Sequence, residues 1–220
     1  MESDLKVIVV GPPKSGKTEL ADILSMASKG FQGNTKPTIA LRILEFTTAV
    51  DVNGLQTKIA VQLWDTSGDK KYQMAFPAIA KDADGCILVY NAHDKSAGKA
   101  AEEYAKDFAK DLNSSQVIVV ANKIGEAEGK PTRAKLPKYL EGTKIVLTNV
   151  QEGLEDFTDS FATFLSNVYQ QKLKKIEEAE KRLIGEAPAK KPKQKKQAEE
   201  TEELNINDDN NEEVEIKDEE

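Results

Sequence analysis

Cysteine and histidine are nearly absent from this sequence, which has one of each among its 220 residues. Because Cys86 is the only cysteine, a disulfide within the chain is impossible, which suits a reducing compartment. Cys86 stands in the apolar run GCILVYN, so we predict a small buried thiol rather than a reactive one. We expect His93, the only histidine, in a surface loop rather than as a catalytic base.

Long hydrophobic runs are also missing, since no stretch reaches the ~18 apolar residues that a membrane-spanning helix needs. The first residues, MESDLKVIVV, lack the basic start and the apolar length of a signal peptide. The last residues, KDEE, offer no cysteine for prenylation. From these features we expect no direct lipid anchor.

Aromatic residues do not occur between residues 186 and 220, and apolar ones are few. Such a segment buries too little surface to offset its ordering entropy, which predicts a disordered tail that is first basic and then acidic. Residues 199–220 carry twelve acidic residues and one lysine, whereas the whole chain has a net charge of −7. The preceding 198 residues are therefore net positive. The run KKPKQKK fits a nuclear signal or an RNA contact, but we favour a solvated linker and expect no nucleic-acid partner.

Strand-like and helix-like patterns alternate along the first 170 residues. Short apolar runs rich in β-branched residues predict buried strands, and Asn53-Gly54 between two such runs predicts a hairpin. From Leu154 the apolar residues recur at intervals of three and four, which predicts an amphipathic helix that continues through Leu183. The alternation predicts an α/β fold with a six-stranded, mainly parallel sheet flanked by helices. We divide the chain into a domain at 1–170, a helical extension at 171–186 and a disordered tail at 187–220.

The segment GPPKSGKT, from Gly11 to Thr18, has the spacing of a phosphate-binding loop and stands between a predicted strand and a helix. Backbone N–H groups of such a loop surround phosphates, and the helix N-terminus adds positive potential. We expect Lys17 to reach the β- and γ-phosphates and Thr18 to bind Mg²⁺. Pro12 and Pro13 remove two N–H donors. The loop must then rely on the donors at Lys14, Ser15, Gly16, Lys17 and Thr18.

Two further segments complete a phosphate and metal site. In LWDTSGD, Asp65 would hold Mg²⁺ through water, and the N–H of Gly68 would sense the γ-phosphate. Thr38 precedes a predicted strand and would add its hydroxyl to Mg²⁺ when GTP is bound. Each of these residues also fits an ordinary turn or loop position.

Three motifs, GPPKSGKT, WDTSG and ANK, resemble those of the Ras-like small GTPases in order and spacing, over roughly residues 4–170. The stretch FPAIAKDADGCILVYNAHD is similar to the Rab branch. PTIALRILEF, LWDTSGD and FPAIAKDADG look like the family of Rab-like GTPase subunits of the intraflagellar transport B complex. The resemblance implies the P-loop NTPase small-GTPase fold and GTP/GDP with Mg²⁺ as cofactors.

The same resemblance implies partners and a location. It implies a subunit of a hetero-oligomeric complex that docks on the coiled-coil heterodimer of the intraflagellar transport B complex. The docking surface would be the switch regions, residues 33–42 and 66–80, whose order depends on the nucleotide. It further implies the cytoplasm and the cilium or flagellum, including the basal body region.

Asp69 departs from the family pattern, because it stands where the family has a glutamine that orients the attacking water. An aspartate is shorter and charged, so it would repel the γ-phosphate instead of positioning water. We therefore assign no catalytic residue and predict very slow intrinsic hydrolysis.

Gly125 is the second departure, because the family has an aspartate there that accepts two hydrogen bonds from guanine. Without this aspartate, the affinity for GTP would be lower by about one to two decades and ATP would be rejected less strongly. Asn122 and Lys123 remain to contact the base. The segment TNV, containing Thr148 and Asn149, falls where a backbone N–H of the family meets guanine O6. We therefore favour guanine over adenine.

Two other residues near the base leave alternatives open. Glu126 can swing towards guanine, although a solvated loop charge is the simpler interpretation. Phe31 fits stacking on the base as well as an ordinary core or loop position.

Three classes of function agree with these features. The first is a GTP-dependent binding module of a transport complex, and the second is a cycling Rab-type GTPase in vesicle traffic. The third is a structural adaptor that acts independently of nucleotide.

Overall fold

The computed structural model describes residues 4–28, 30, 33, 35–124, 130–152 and 154–184. The strands of this part are β1 (Leu5–Val10), β2 (Leu41–Val52), β3 (Leu55–Thr66), β4 (Gly85–Asn91), β5 (Val117–Asn122) and β6 (Lys144–Thr148). The α-helices are α1 (Lys17–Leu24), α2 (Phe76–Ala80), α3 (Ala97–Phe108) and α4 (Glu155–Leu183). Short 3₁₀ helices span Lys70–Ala75, Ser114–Gln116 and Lys138–Leu140.

The strands form one sheet in the order β2-β3-β1-β4-β5-β6. β2 pairs with β3 in antiparallel fashion, and the other neighbouring strands are parallel. The central strands β1, β4 and β5 are almost wholly buried, as continuously apolar runs in a sheet covered on both faces should be. The predicted α/β fold with a six-stranded, mainly parallel sheet flanked by helices is confirmed.

Helices cover both faces of the sheet. On one face, α1 and α4 contribute side chains such as Leu20 and Phe157 to the core. On the other face, α2 and α3 contribute Phe76 and Phe108, whose ring centroids lie 4.5 Å apart. Cys86 of β4 is fully buried in this second core, as predicted, and burial raises the pKa of its thiol.

The hairpin of β2 and β3 turns at Asn53 and Gly54, which both have positive φ angles of 54° and 84°. Two successive positive φ angles match the strand twist in a two-residue turn, which explains the Asn-Gly pair. The hairpin predicted from this pair is confirmed.

Helix α4 has 29 residues and passes without a break through the predicted boundary between residues 170 and 171. Its first half packs on the sheet through Phe164, Leu165 and Val168. Lys172 then donates hydrogen bonds to the Asp4 carbonyl oxygen at 2.6 Å and to Asp84 Oδ2 at 2.8 Å. In the part of the chain that the structure describes, no helix has both the length and the apolarity to cross a membrane.

The predicted tail at 187–220 lies outside the described residues, and so do Phe31, Gly125 and Glu126. The division of the chain into three segments stays a prediction.

Candidate nucleotide-binding site

The loop between β1 and α1 curls tightly because several of its residues adopt left-handed backbone angles. Lys14 has a φ of 59° and Gly16 a φ of 85°. Gly11 has a φ of 142°, and a Cβ atom there would lie 1.9 Å from the Val89 carbonyl oxygen of β4. Only glycine therefore fits where the loop leaves β1.

A cavity of about 490 Å³ opens in front of this loop. Three segments line it: residues 13–19 of the loop and α1, residues 35–39 before β2, and residues 66–69, 71 and 72 after β3. The cavity thus gathers most of the residues predicted to bind phosphate, namely Lys14, Ser15, Gly16, Lys17, Thr18, Thr38 and Gly68. Gly11 stands behind it, against β4.

Lys17 provides a buried positive charge at this cavity. Its side chain is buried, and Nζ donates hydrogen bonds to the Pro12 carbonyl oxygen at 2.7 Å and to Ser15 Oγ at 3.3 Å. Burial lowers the pKa of Lys17 to about 8, while the charge of Asp65 opposes the shift. The ammonium group is therefore mainly protonated at neutral pH and ready to bind an anion.

Thr18, Thr38 and Asp65 bring their side-chain oxygen atoms together beside Lys17. Thr18 Oγ1 lies 2.7 Å from Thr38 Oγ1, which in turn donates to Asp65 Oδ2 at 2.9 Å. Among the described residues, none offers a hydrogen bond to the buried Asp65 Oδ1. Burial also raises the pKa of Asp65. An unsatisfied buried carboxylate oxygen next to two hydroxyl groups fits a hydrated Mg²⁺ ion.

The segment after β3 packs against the phosphate loop. A Cβ atom on Gly68 would lie 2.6 Å from the Gly11 carbonyl oxygen, so glycine allows this close approach. Tyr104 of α3 donates a hydrogen bond of 2.6 Å to the Gly68 carbonyl oxygen. The hydrogen bond helps to hold Gly68 in place, and sequence reasoning missed it.

Asp69 has a partner that was not anticipated. Its Oδ1 accepts the Lys71 N–H at 3.0 Å, and its Oδ2 lies 3.0 Å from Lys71 Nζ. The backbone hydrogen bond from Lys71 lowers the pKa of Asp69, which is therefore ionised. The aspartate caps the following 3₁₀ helix, and its charge is balanced locally.

Asn122 joins the phosphate loop to the predicted base-binding segments. Its Nδ2 donates to the Ser15 carbonyl oxygen at 3.1 Å, and its Oδ1 accepts the Val150 N–H at 3.1 Å. The Lys123 N–H bonds to the Thr148 carbonyl oxygen at 2.8 Å. In the neighbouring turn, Asn149 Oδ1 accepts the Gln151 N–H at 3.0 Å. The structure thus brings the four predicted base-binding residues to the same end of the sheet.

Two more charged residues at the site escaped prediction. Arg42 Nη2 lies 2.8 Å from Asp22 Oδ1 and 3.3 Å from Asp65 Oδ2. Glu19 accepts hydrogen bonds from the Gly33 N–H at 3.1 Å and from the Thr35 hydroxyl at 2.7 Å. The signals available in the sequence were an acidic residue directly after GKT and a basic residue at the start of β2.

Comparisons with known proteins agree with this geometry. The profile of the family described as "Ras of Complex, Roc, domain of DAPkinase" matches residues 6–125. "Intraflagellar transport protein 22 homolog" of Rattus norvegicus is 34% identical over 166 residues, which cover 74% of this chain and 89% of the relative. The chain belongs to the intraflagellar transport protein 22 family. The predicted resemblance to a Ras-like small GTPase is confirmed.

Solved structures of intraflagellar transport protein 22 from Trypanosoma brucei have the same fold. The GTP-bound IFT22/74/81 crystal structure contains a chain 27% identical, with a TM-score of 0.60, covering 78% of this chain and 98% of that one. The GDP-bound IFT22 crystal structure is 26% identical, with a TM-score of 0.58, covering 77% and 99%.

Proposed function

We propose that this chain binds GTP and GDP together with Mg²⁺ and serves as a Rab-like subunit of the intraflagellar transport B complex. The observation that carries the proposal is the convergence of Thr18, Thr38 and Asp65 beside the buried Lys17 in one cavity. Support also comes from the trypanosome relatives, which were crystallised with GTP and with GDP.

Each residue of the cavity has a distinct task in this proposal. The charged Lys17 attracts the terminal phosphates, and its release from the Pro12 carbonyl oxygen costs little because a stronger acceptor replaces it. Thr18 and Thr38 would hold Mg²⁺ directly, whereas Asp65 would hold it through water. The metal would neutralise phosphate charge when bound.

Recognition of guanine rests on the remaining contacts at the base. Both the nitrogen and the oxygen of the Asn122 amide are hydrogen-bonded, so Asn122 ties the phosphate loop at Ser15 to the segment at Val150. A backbone N–H of the segment around Thr148 and Asn149 would donate a hydrogen bond to guanine O6, a contact that adenine, which has an amine there, cannot accept. Lys123 would cover the ring of the base.

Calorimetric titration of the nucleotide-free chain with GTP, GDP and ATP, each with Mg²⁺, tests the proposal. We expect micromolar or tighter binding of both guanine nucleotides and at least about tenfold weaker binding of ATP. Lys17→Ala should abolish binding, whereas Lys58→Ala, at an exposed position of β3, should leave it unchanged. Equal affinity for ATP would refute guanine selectivity, and absence of binding would refute the nucleotide function.

Partner binding forms the second part of the proposal. We infer that the chain docks through its switch regions on the coiled-coil heterodimer of the complex. Ile39 lines the phosphate cavity, Met74 lies in the second switch region, and the two side chains are 81% and 97% exposed, which gives both switch regions an exposed apolar residue. The trypanosome IFT22/74/81 structure supports membership in a heteromeric complex. The location that follows is the cytoplasm and the cilium or flagellum, with the basal body region.

Very slow hydrolysis belongs to the same proposal. Asp69 is engaged with Lys71 and lacks the amide that would orient a water molecule. Single-turnover measurement with GTP should therefore show no acceleration by Asp69→Asn, and Asp69→Gln should increase the rate. An unchanged rate in Asp69→Gln would show that another feature limits hydrolysis.

A nucleotide-independent adaptor is the alternative that one observation favours. Glu19 holds Gly33 and Thr35 of the first switch region through side-chain contacts that involve no phosphate. Partner binding by Thr18→Asn and Lys17→Ala separates the two functions. Loss of binding supports the nucleotide-dependent module, and unchanged binding supports the adaptor.

A further inference from the structure

Arg42 places a positive charge next to the carboxylate of the predicted magnesium site. Its Nη2 lies 3.3 Å from Asp65 Oδ2, the same oxygen that accepts the Thr38 hydroxyl. The Asp65 side chain has no exposed surface, whereas 37% of the Arg42 side chain is exposed. The attraction between the Arg42 guanidinium and the Asp65 carboxylate is therefore only partly screened by water, because Asp65 is buried.

Arg42 does not line the phosphate cavity. It lines a second cleft of about 500 Å³ that is formed by α1, the segment 35–39 and the start of β2. Arg42 and Asp22 both line this cleft, while Thr18 and Thr38 line both cleft and cavity. Segment 35–39 contributes to the lining of both spaces, and Asp65 Oδ2 accepts hydrogen bonds from both Arg42 and Thr38.

Asp22 competes with Asp65 for the guanidinium. The distance from Arg42 Nη2 to Asp22 Oδ1 is 2.8 Å, shorter than the 3.3 Å to Asp65 Oδ2. Asp22 is also the more solvated of the two, with 18% of its side chain exposed. The negative charge of Asp22 therefore draws the guanidinium away from Asp65 and offsets part of the positive potential that Arg42 produces at Asp65.

We propose that Arg42 is a positioning residue that sets the Mg²⁺ affinity of the site through Asp65, and that Asp22 tunes this effect. The proposal rests on the proposed binding of nucleotide with Mg²⁺. Asp65 is the one carboxylate in the predicted metal set, so a guanidinium bonded to it occupies an acceptor and repels the dication. Mg²⁺ then binds more weakly than it would beside an unpaired Asp65.

The competing explanation is a purely structural role, in which Arg42 clamps β2 to α1. The two explanations differ in sign. A clamp is broken equally by loss of Arg42 or loss of Asp22, so both changes should weaken Mg²⁺ and nucleotide binding. A tuning role predicts opposite effects, because loss of Asp22 leaves the guanidinium with Asp65 alone.

The experiment measures the release of a fluorescent GDP analogue from the full chain over a range of buffered Mg²⁺ concentrations. We expect Arg42→Gln to shift the Mg²⁺ midpoint about tenfold lower and Asp22→Asn to shift it about threefold higher. The double variant should behave like Arg42→Gln, because Asp22 acts only through Arg42. Lys106→Gln and Glu102→Gln, which break an exposed ion pair on α3, are the matched controls and should not shift the midpoint.

Each outcome decides the matter. Shifts of the same sign for Arg42→Gln and Asp22→Asn, or no shift in either, would overturn the proposal while leaving nucleotide binding intact. Failure of the wild-type chain to bind the analogue would overturn the proposed function itself, and this inference with it. If Arg42→Gln does not fold, Arg42→Met takes its place, and a Mg²⁺ midpoint that shifts upwards or stays unchanged in that variant refutes the tuning role.

Discussion

Lys17 combines deep burial with a task that needs positive charge. Buried lysines are uncommon because desolvation disfavours the ammonium form. Here desolvation lowers the pKa to about 8, and the charge of Asp65 limits the shift. Binding an anion raises the pKa again, so above pH 8 the binding of nucleotide must be accompanied by uptake of a proton.

This linkage predicts the pH dependence of nucleotide affinity. A group whose pKa is lower in the free protein than in the complex favours binding below that pKa. Affinity should therefore be constant below about pH 7.5 and fall about tenfold by pH 9. Calorimetry at both pH values, in two buffers with different ionisation enthalpies, measures the affinity and the proton uptake. Lys17→Arg keeps a positive charge that does not titrate in this range, so it reports the titration of the nucleotide itself, and a wild-type profile parallel to that control would contradict the prediction.

Gly11 permits a second prediction for a single residue. Gly11→Ala would place a methyl group 1.9 Å from the Val89 carbonyl oxygen, at a φ of 142° that alanine avoids. We expect a loss of at least about 3 kcal/mol of unfolding free energy, because the sheet itself must move. Gly142→Ala is the matched control, since its φ is 83° and a Cβ there meets open space. Its cost should be about 1 kcal/mol in urea denaturation. Equal losses would show that backbone angle, and not contact, decides the cost.

Residues of the site differ in how far sequence alone reveals them. The phosphate loop is contiguous, so its pattern and its place between strand and helix are visible in the sequence. Arg42 and Tyr104 meet the site only through the pairing of β2 with β3 and the packing of α3. Their partners, Asp65 and Gly68, are 23 and 36 residues away in the chain. No local pattern specifies such contacts.

Elements were predicted well where burial and pattern agree. β4 and β5 are apolar along their whole length because both of their faces are covered, and the Asn-Gly turn defines the hairpin. The packing of the last part of α4 does not follow from its sequence, because Leu173 and Ile176 continue the apolar spacing but are 41% and 39% exposed. Periodicity indicates a helix without revealing whether anything covers its apolar side.

Lys172 fixes α4 at the point where the helix leaves the core. It joins Asp84, which is itself largely buried and also accepts the Lys6 N–H. Lys172→Gln should lower the unfolding free energy by about 1–2 kcal/mol, because Asp84 loses its charged partner. Lys181→Gln, which breaks the exposed pair with Glu177 further along α4, is the control and should cause no measurable change. A similar effect of both changes in denaturant titration would contradict the anchoring role.

At the scale of the whole molecule, Ile39 and Met74 are exposed apolar side chains of the two switch regions, and neither belongs to the hydrophobic core. Ile39→Asp or Met74→Asp should weaken binding of the proposed coiled-coil partner by at least about tenfold, because a charge would be buried in the proposed interface. Both side chains are exposed, so the unfolding midpoint should stay unchanged. Leu55→Asp, at a 72% exposed position of the hairpin, is the matched control in a pull-down with the purified heterodimer. Unchanged binding in the first two variants would place the interface elsewhere.

The exposed part of helix α4 lies at the end of the molecule opposite to the phosphate cavity. Lys172 meets Asp4 and Asp84, which precede β1 and β4, whereas the phosphate loop follows β1. From Lys172 to Leu183 the helix advances about 16 Å, at the edge of the sheet opposite to the cavity. Molecules held at the two ends would not collide, so the domain can act as a spacer. Two molecules bound at the two ends would be kept close to each other, so each would have a raised effective concentration near the other without any conformational change.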